Sequence, residues 1–355
     1  MKKITTILLM VSIFIVSCSN NADNNANLKQ QKLTYDTNDR TQDFYDNEKT
    51  HELAGPRSIE VIGEISNPGV VSYSSLPLRS VIVKETLLKG KSNAFVGAYR
   101  YDGYSLYDIL NKCILNKKNA KEFPPIIDLF VEVINDKGEK VVFSWGELYY
   151  PIHRHEIIIA TQVMHIVPSK SKDLWPLPEE PRLIVAPDLI TERNISNPTK
   201  IIVKTISKKY DIKKGAKIYG PVLSLKNNGK LIKKFKFTPK KYQIESISTI
   251  FYGRGRGIHG TTPFKGVYLK SLLADYFEFN KENIQRGIFC LAATDGYHGA
   301  FTYSEIMNRN DNLEFLLIDK DNYEDAGKFS VLASPDFFSD RAIKSMNEID
   351  FSIIK

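Results

Sequence analysis

Cysteine is scarce in this chain. Only Cys18, Cys113 and Cys290 occur among 355 residues, and the last two lie inside apolar runs, "LNKCIL" and "GIFCLAA", the usual setting of a small buried hydrophobe. This excludes a disulfide framework and a cysteine zinc site. Long apolar stretches are missing too: the N-terminal one, Ile7 to Val16, is too short to span a bilayer. There is no nucleophile elbow and no zinc-protease helix. "LKGKS" (Leu88 to Ser92) ends like a P-loop, but Glu85 stands where the first glycine must be.

What is present begins with export. Lys2 and Lys3 precede the short apolar run, which suits a signal-peptide core. The run closes on "IVSC", which resembles the lipobox of bacterial lipoproteins. We therefore expect a lipoprotein signal peptide over residues 1–17 and Cys18 as the lipidated first residue of the mature chain. Residues 18–56 are rich in Asn, Asp, Gln and Lys and poor in large apolar side chains, so they read as a tether. The expected partners are the membrane, through the anchor, and an envelope protein, with the chain on the periplasmic or surface side.

The formal charge is +8, and fourteen lysines fall between Lys200 and Lys241. They alternate with apolar residues, which predicts strands with a solvated basic face. No stacking platform or nucleic-acid module accompanies them, so no nucleic-acid partner is expected.

The chain repeats itself. "YDGYSLYDIL" (Tyr101 to Leu110) matches "FKGVYLKSLL" (Phe264 to Leu273), "FSWGEL" (Phe143 to Leu148) matches "FTYSEI" (Phe301 to Ile306), and "APDLITERNI" (Ala186 to Ile195) matches "SPDFFSDRAI" (Ser334 to Ile343). Three blocks in one order predict a duplicated domain, 57–205 and 206–355. Leucines at i and i+4 predict a helix after each glycine turn, and strands fill the rest, so the expected fold class is α+β: two tandem, strand-rich mixed domains with short helices. Arg193 and Arg341, present in both copies, are expected to serve a structural ion pair or a cap.

"FYGRGRGIHG" (Phe251 to Gly260) contains a G-x-G-x-x-G spacing, but Pro263 and Gly266 delay the helix a dinucleotide site needs at its glycines. The ordered blocks, with "GEISNPGVVSYSSL" (Gly63 to Leu76) and "AATDGYHGAFTYSEI" (Ala292 to Ile306), instead resemble the molybdopterin-binding domain of the sulfite oxidase superfamily, twice over residues 58–351. The resemblance implies that fold and, in catalytic members, a molybdopterin whose metal is held by a cysteine of the loop before the helix. Here that loop is "FYGRGRGIHG" or "KGKSNAFVGAYR" (Lys89 to Arg100), and neither contains cysteine.

What carries over is anion binding. The candidate cofactor-binding residues are Gly253, Arg254, Gly255, Arg256 and His259, with Asp295, Tyr297 and His298 in the turn that faces the site in the family. An exposed hairpin and an ordinary Asp-Gly turn are the plainer alternatives. His153, His155 and His165 read as a polar strand edge rather than a metal site. The expected function is a non-catalytic anion- or partner-binding module. The alternative is a molybdopterin-dependent oxidoreductase acting on a small oxyanion or oxide.

Overall fold

The structure, a computed structural model, describes residues 49–355 except 91, 169, 214–218, 256, 262 and 321–326, and excepting the His259 side chain. The signal peptide, Cys18 and most of the tether lie outside the described residues. The described residues form one compact unit.

Strand accounts for 46% of the described residues and helix for 11%, and the four main sheets, of four or five strands each, form a four-bladed, propeller-like arrangement. This corrects the expected α+β fold of two sulfite-oxidase-type domains. The leucine spacing did mark helices, but Leu106–Leu110 and Leu269–Leu273 are single turns of five residues, too short to make a layer. Their leucines are all buried, and each turn packs against the two inner strands of a sheet.

The duplication is visible in strand order. One five-stranded sheet runs Gly69–Ser72, Ser58–Gly63, Pro198–Thr205, Leu129–Asn135, Lys140–Ser144. Another runs Lys230–Phe235, Leu223–Asn227, Met346–Ile353, Gly287–Ala293, His298–Thr302. In both, only the second and third strands are parallel. The remaining sheets also share a path. Arg79–Lys89, Ser92–Ser105, Ile157–His165 and Arg182–Val185 follow one another as Glu245–Ser248, Pro263–Tyr268, Phe315–Asp319 and Phe329–Ala333 do. The glycines shared by the first repeated block have a common cause. A Cβ at Gly103 would lie 2.1 Å from the Ile159 carbonyl, and one at Gly266 2.5 Å from that of Leu317, so backbone passes where a side chain would stand.

The two halves meet across a reciprocal seam. Leu189 N–H donates to Asn308 O as Phe337 N–H donates to Tyr150 O, both at 2.7 Å, and the N–H groups of Asn310 and Ile152 donate to Pro187 O and Pro335 O. Such exchange, i to j and j to i, is what a two-fold interface produces. At its centre Arg193 grips Asp188 and Glu147, and Arg341 grips Asp336 and Glu305, with N–O distances of 2.6–3.1 Å. Both arginines are fully buried. The expected structural ion pairs therefore exist, and their acids are those of the repeated "PD" and "x-x-E" positions rather than the adjacent Glu192 and Asp340.

Candidate functional site

The arginine-glycine loop is the tip of a two-stranded ribbon, Phe251–Gly253 with Gly257–Gly260. Gly253 is half-buried, while Arg254 and Gly255 are exposed. The Arg254 guanidinium pairs with Asp340 at 2.9 Å and lies over the Tyr150 ring at 5.8 Å. Its charge is thus already matched. Arg256 and the His259 side chain lie outside the described residues.

The "TDGYHG" turn divides its residues between two places. The Asp295 carboxylate accepts the Tyr297 N–H at 3.0 Å, and the Tyr297 hydroxyl donates to Asp340 O at 2.7 Å. Tyr297 and Arg254 therefore meet at Asp340. His298 begins the strand His298–Thr302, and although its ring and that of Tyr297 both pack on Phe123, at 4.1 and 5.6 Å, its polar atoms find other partners. Arg254 and His298 line no common cavity among those found in the described residues.

His298 lies instead at the base of a cleft of about 420 Å³. Loop residues Lys118 to Phe123 form one wall, and the segment Thr205 to Tyr210, which joins the two halves, forms the other. The imidazole is 3% exposed and stacks on Phe123 at 4.1 Å and against Tyr210 at 4.6 Å. Its Nδ1 faces the Gly296 carbonyl at 2.7 Å and its Nε2 faces Asp128 at 3.7 Å.

Asp128 is fully buried and also meets Lys117 at 2.7 Å and the Asn119 amide at 2.9 Å. Burial by itself would raise this carboxyl. The hydrogen bonds from His298, Lys117 and Asn119 outweigh it and hold the group below the usual range.

On the other wall Lys208 binds Glu348 and Asp350, and the Tyr210 hydroxyl reaches Cys290 Sγ at 3.2 Å and Glu348 at 3.1 Å. The cleft's cations differ in their freedom: Lys208 is engaged, Lys118 stands 3.9 Å from Glu64, and exposed Lys209 has no acidic partner among the described residues.

A molybdopterin does not fit these residues. Its metal needs a thiolate, but burial pushes the Cys290 thiol up to about 12, and Tyr210 caps it. Cys113 is half-buried beside the other core, and burial raises it as well. Arg254, one of the two arginines of the expected phosphate grip, is held by Asp340. The histidines of "PIHRHE" and "QVMH" separate: His155 reaches Ser105 and Asp108, and His165 reaches the Trp175 carbonyl. Among the described residues no group of His, Cys, Asp and Glu could hold a metal ion.

Sequence reading found His298 but missed Asp128, Lys117, Asn119 and Tyr210. One signal was present: "PPIIDLFVEVI" places an acid directly before an apolar, almost wholly buried strand, where it must find a partner. No protein-family model matches the chain, and no curated protein matches it.

Proposed function

We propose that this chain is a membrane-anchored envelope lipoprotein, held through Cys18, whose body is a non-catalytic binding module for a small anionic ligand. The observation that carries the reading is the cleft at the junction of the halves, with His298 and the Phe123 and Tyr210 rings at its base and Lys118, Lys208 and Lys209 at its mouth. Cationic side chains around a concave, partly apolar floor select a compact anion. The oxyanion chemistry expected of the arginine-glycine loop moves to this cleft, because Arg254 is already paired and Lys209 is not.

The test is a titration with inorganic phosphate, following the His298 ring resonances by NMR and the heat of binding. Saturable shifts at His298, weakened about tenfold by Lys209→Glu, are expected from the loss of one charge-assisted contact. Flat resonances up to high millimolar phosphate would overturn the reading. Acylation is checked separately by the mass of the N-terminal peptide of protein taken from its native envelope.

A further inference from the structure

The edge of the second five-stranded sheet has an unusual surface. Strand Lys230–Phe235 is the terminal strand of its sheet, and Lys230, Leu231, Ile232, Lys233 and Lys234 are all exposed. The register shifts between Leu225 and Lys226, which leaves Ile232 as the extra residue of a bulge. Leu231 and Ile232 are 52% and 40% exposed, and Phe237 and Ile244, further along, 62% and 73%.

Lysines run through this apolar set. Lys241 is bound to Asp275, but Lys230, Lys233, Lys234, Lys236 and Lys240 have no acidic partner among the described residues. Of these, Lys233, Lys234 and Lys236 border, with Phe235, Phe237 and Tyr242, an open groove of about 800 Å³. Lysines alone are how a sheet edge is kept from pairing with another chain. Large exposed apolar side chains beside them work against that purpose, so edge protection does not account for the patch.

We infer that this face, residues 230–244, docks on an anionic lipid bilayer. Unpaired lysines interleaved with exposed Leu, Ile and Phe are the chemistry of an interfacial surface: ammonium groups meet lipid phosphates while the apolar tips enter the headgroup boundary. The charge is complementary to a negatively charged leaflet. The reach also agrees. From Cys18 to the first described strand, at His51, there are 51 − 18 = 33 residues, which at full extension cover at most about 120 Å. The inference rests on the proposed anchor for that proximity and not for its chemistry. The anchor holds the body near the bilayer, and the basic face sets which side it turns inward.

Hydrogen exchange on the full mature protein tests this, with vesicles of neutral phosphatidylcholine or of phosphatidylcholine containing phosphatidylglycerol. Amides of 230–244 should gain protection only on the anionic vesicles and lose it in high salt. Replacing Lys233, Lys234 and Lys236 together by Ser should weaken docking about a hundredfold, at roughly fivefold for each lysine. Unchanged exchange in Gly287–Ala293 certifies the fold of that variant. Equal protection on both vesicles, or protection by soluble polyglutamate and by neither vesicle, overturns the inference. Failure of the anchor reads out differently: the N-terminal peptide lacks its acyl mass and the chain stays with the supernatant of neutral vesicles, while exchange on anionic vesicles still reports the face.

Discussion

Ser144 donates a hydrogen bond of 2.7 Å to Glu305, which lies 161 residues further along the chain and at the buried centre of the molecule. Its counterpart Thr302 donates to Glu147 at 2.9 Å. Each hydroxyl also caps its own short helix, accepting the N–H of Glu147 or Glu305 at 2.9 and 3.1 Å. One repeated block thus closes a helix end and the seam with the same atom.

From this it follows that Ser144→Ala and Thr302→Ala each lower stability by about 1–3 kcal/mol, a lost cap together with a buried carboxylate short of a donor. Urea denaturation measures it. A cost below a few tenths for both would show that the seam does not depend on these hydroxyls.

Gly146 and Ser304 occupy the same place in the two blocks and predict opposite tolerance. A Cβ at Gly146 would lie 2.4 Å from Arg341 Nε and push the guanidinium off Glu305. Gly146→Ala should cost about 3–5 kcal/mol, the range for breaking a buried ion pair. Ser304 has room for its side chain, which donates to Asp188 at 3.1 Å, so Ser304→Gly should cost only about 1–2 kcal/mol. Thermal denaturation of the two variants side by side decides it.

Acid sensitivity should trace to Asp128 and Glu348, which are both held below the ordinary carboxylate range. For Glu348 burial raises the group, and the hydrogen bonds of Lys208 and Lys226 outweigh it. A depressed folded pKa means that the stabilisation is fully present above the unfolded value, about 4, and is lost as pH falls through the folded one. Asp128→Asn should therefore lower stability at neutral pH and flatten the decline below about pH 4. Denaturant midpoints measured from pH 7 to pH 2.5 check the slope, and an unaltered acid limb would contradict the assignment.

Cys290 should be inert in the native protein. Its buried, protonated thiol lies under Tyr210, so iodoacetamide at pH 8 should leave it unmodified while the fold holds. Tyr210→Ala should raise its labelling rate at least tenfold, and mass spectrometry of the Gly287–Ala293 peptide reads this directly. Rapid labelling of the native chain would mean that the joining segment does not seal the strand.

Much of this architecture was legible in three pairs of short blocks, because the residues the copies share are those that close the seam or let backbones touch: Asp188 and Asp336, Arg193 and Arg341, Gly103 and Gly266. What could not be read was extent. Leucines at i and i+4 mark one helical face equally well in a single turn and in a long helix, and only the packing of strands around Leu106 and Leu269 set the length. The partners of His298 were hidden for a related reason. Asp128 and Tyr210 reach His298 from distant parts of the chain, a proximity that no local pattern encodes.

The seam also bears on how the chain emerges. Each buried arginine takes its carboxylates from its own half, Arg193 from Asp188 and Glu147, Arg341 from Asp336 and Glu305. A first half made ahead of the second therefore presents at its unfinished face a salt cluster whose guanidinium is already paired with two carboxylates. Such a surface leaves no bare guanidinium to solvate, and what waits for the second half is the surplus carboxylate, which Thr302 then meets.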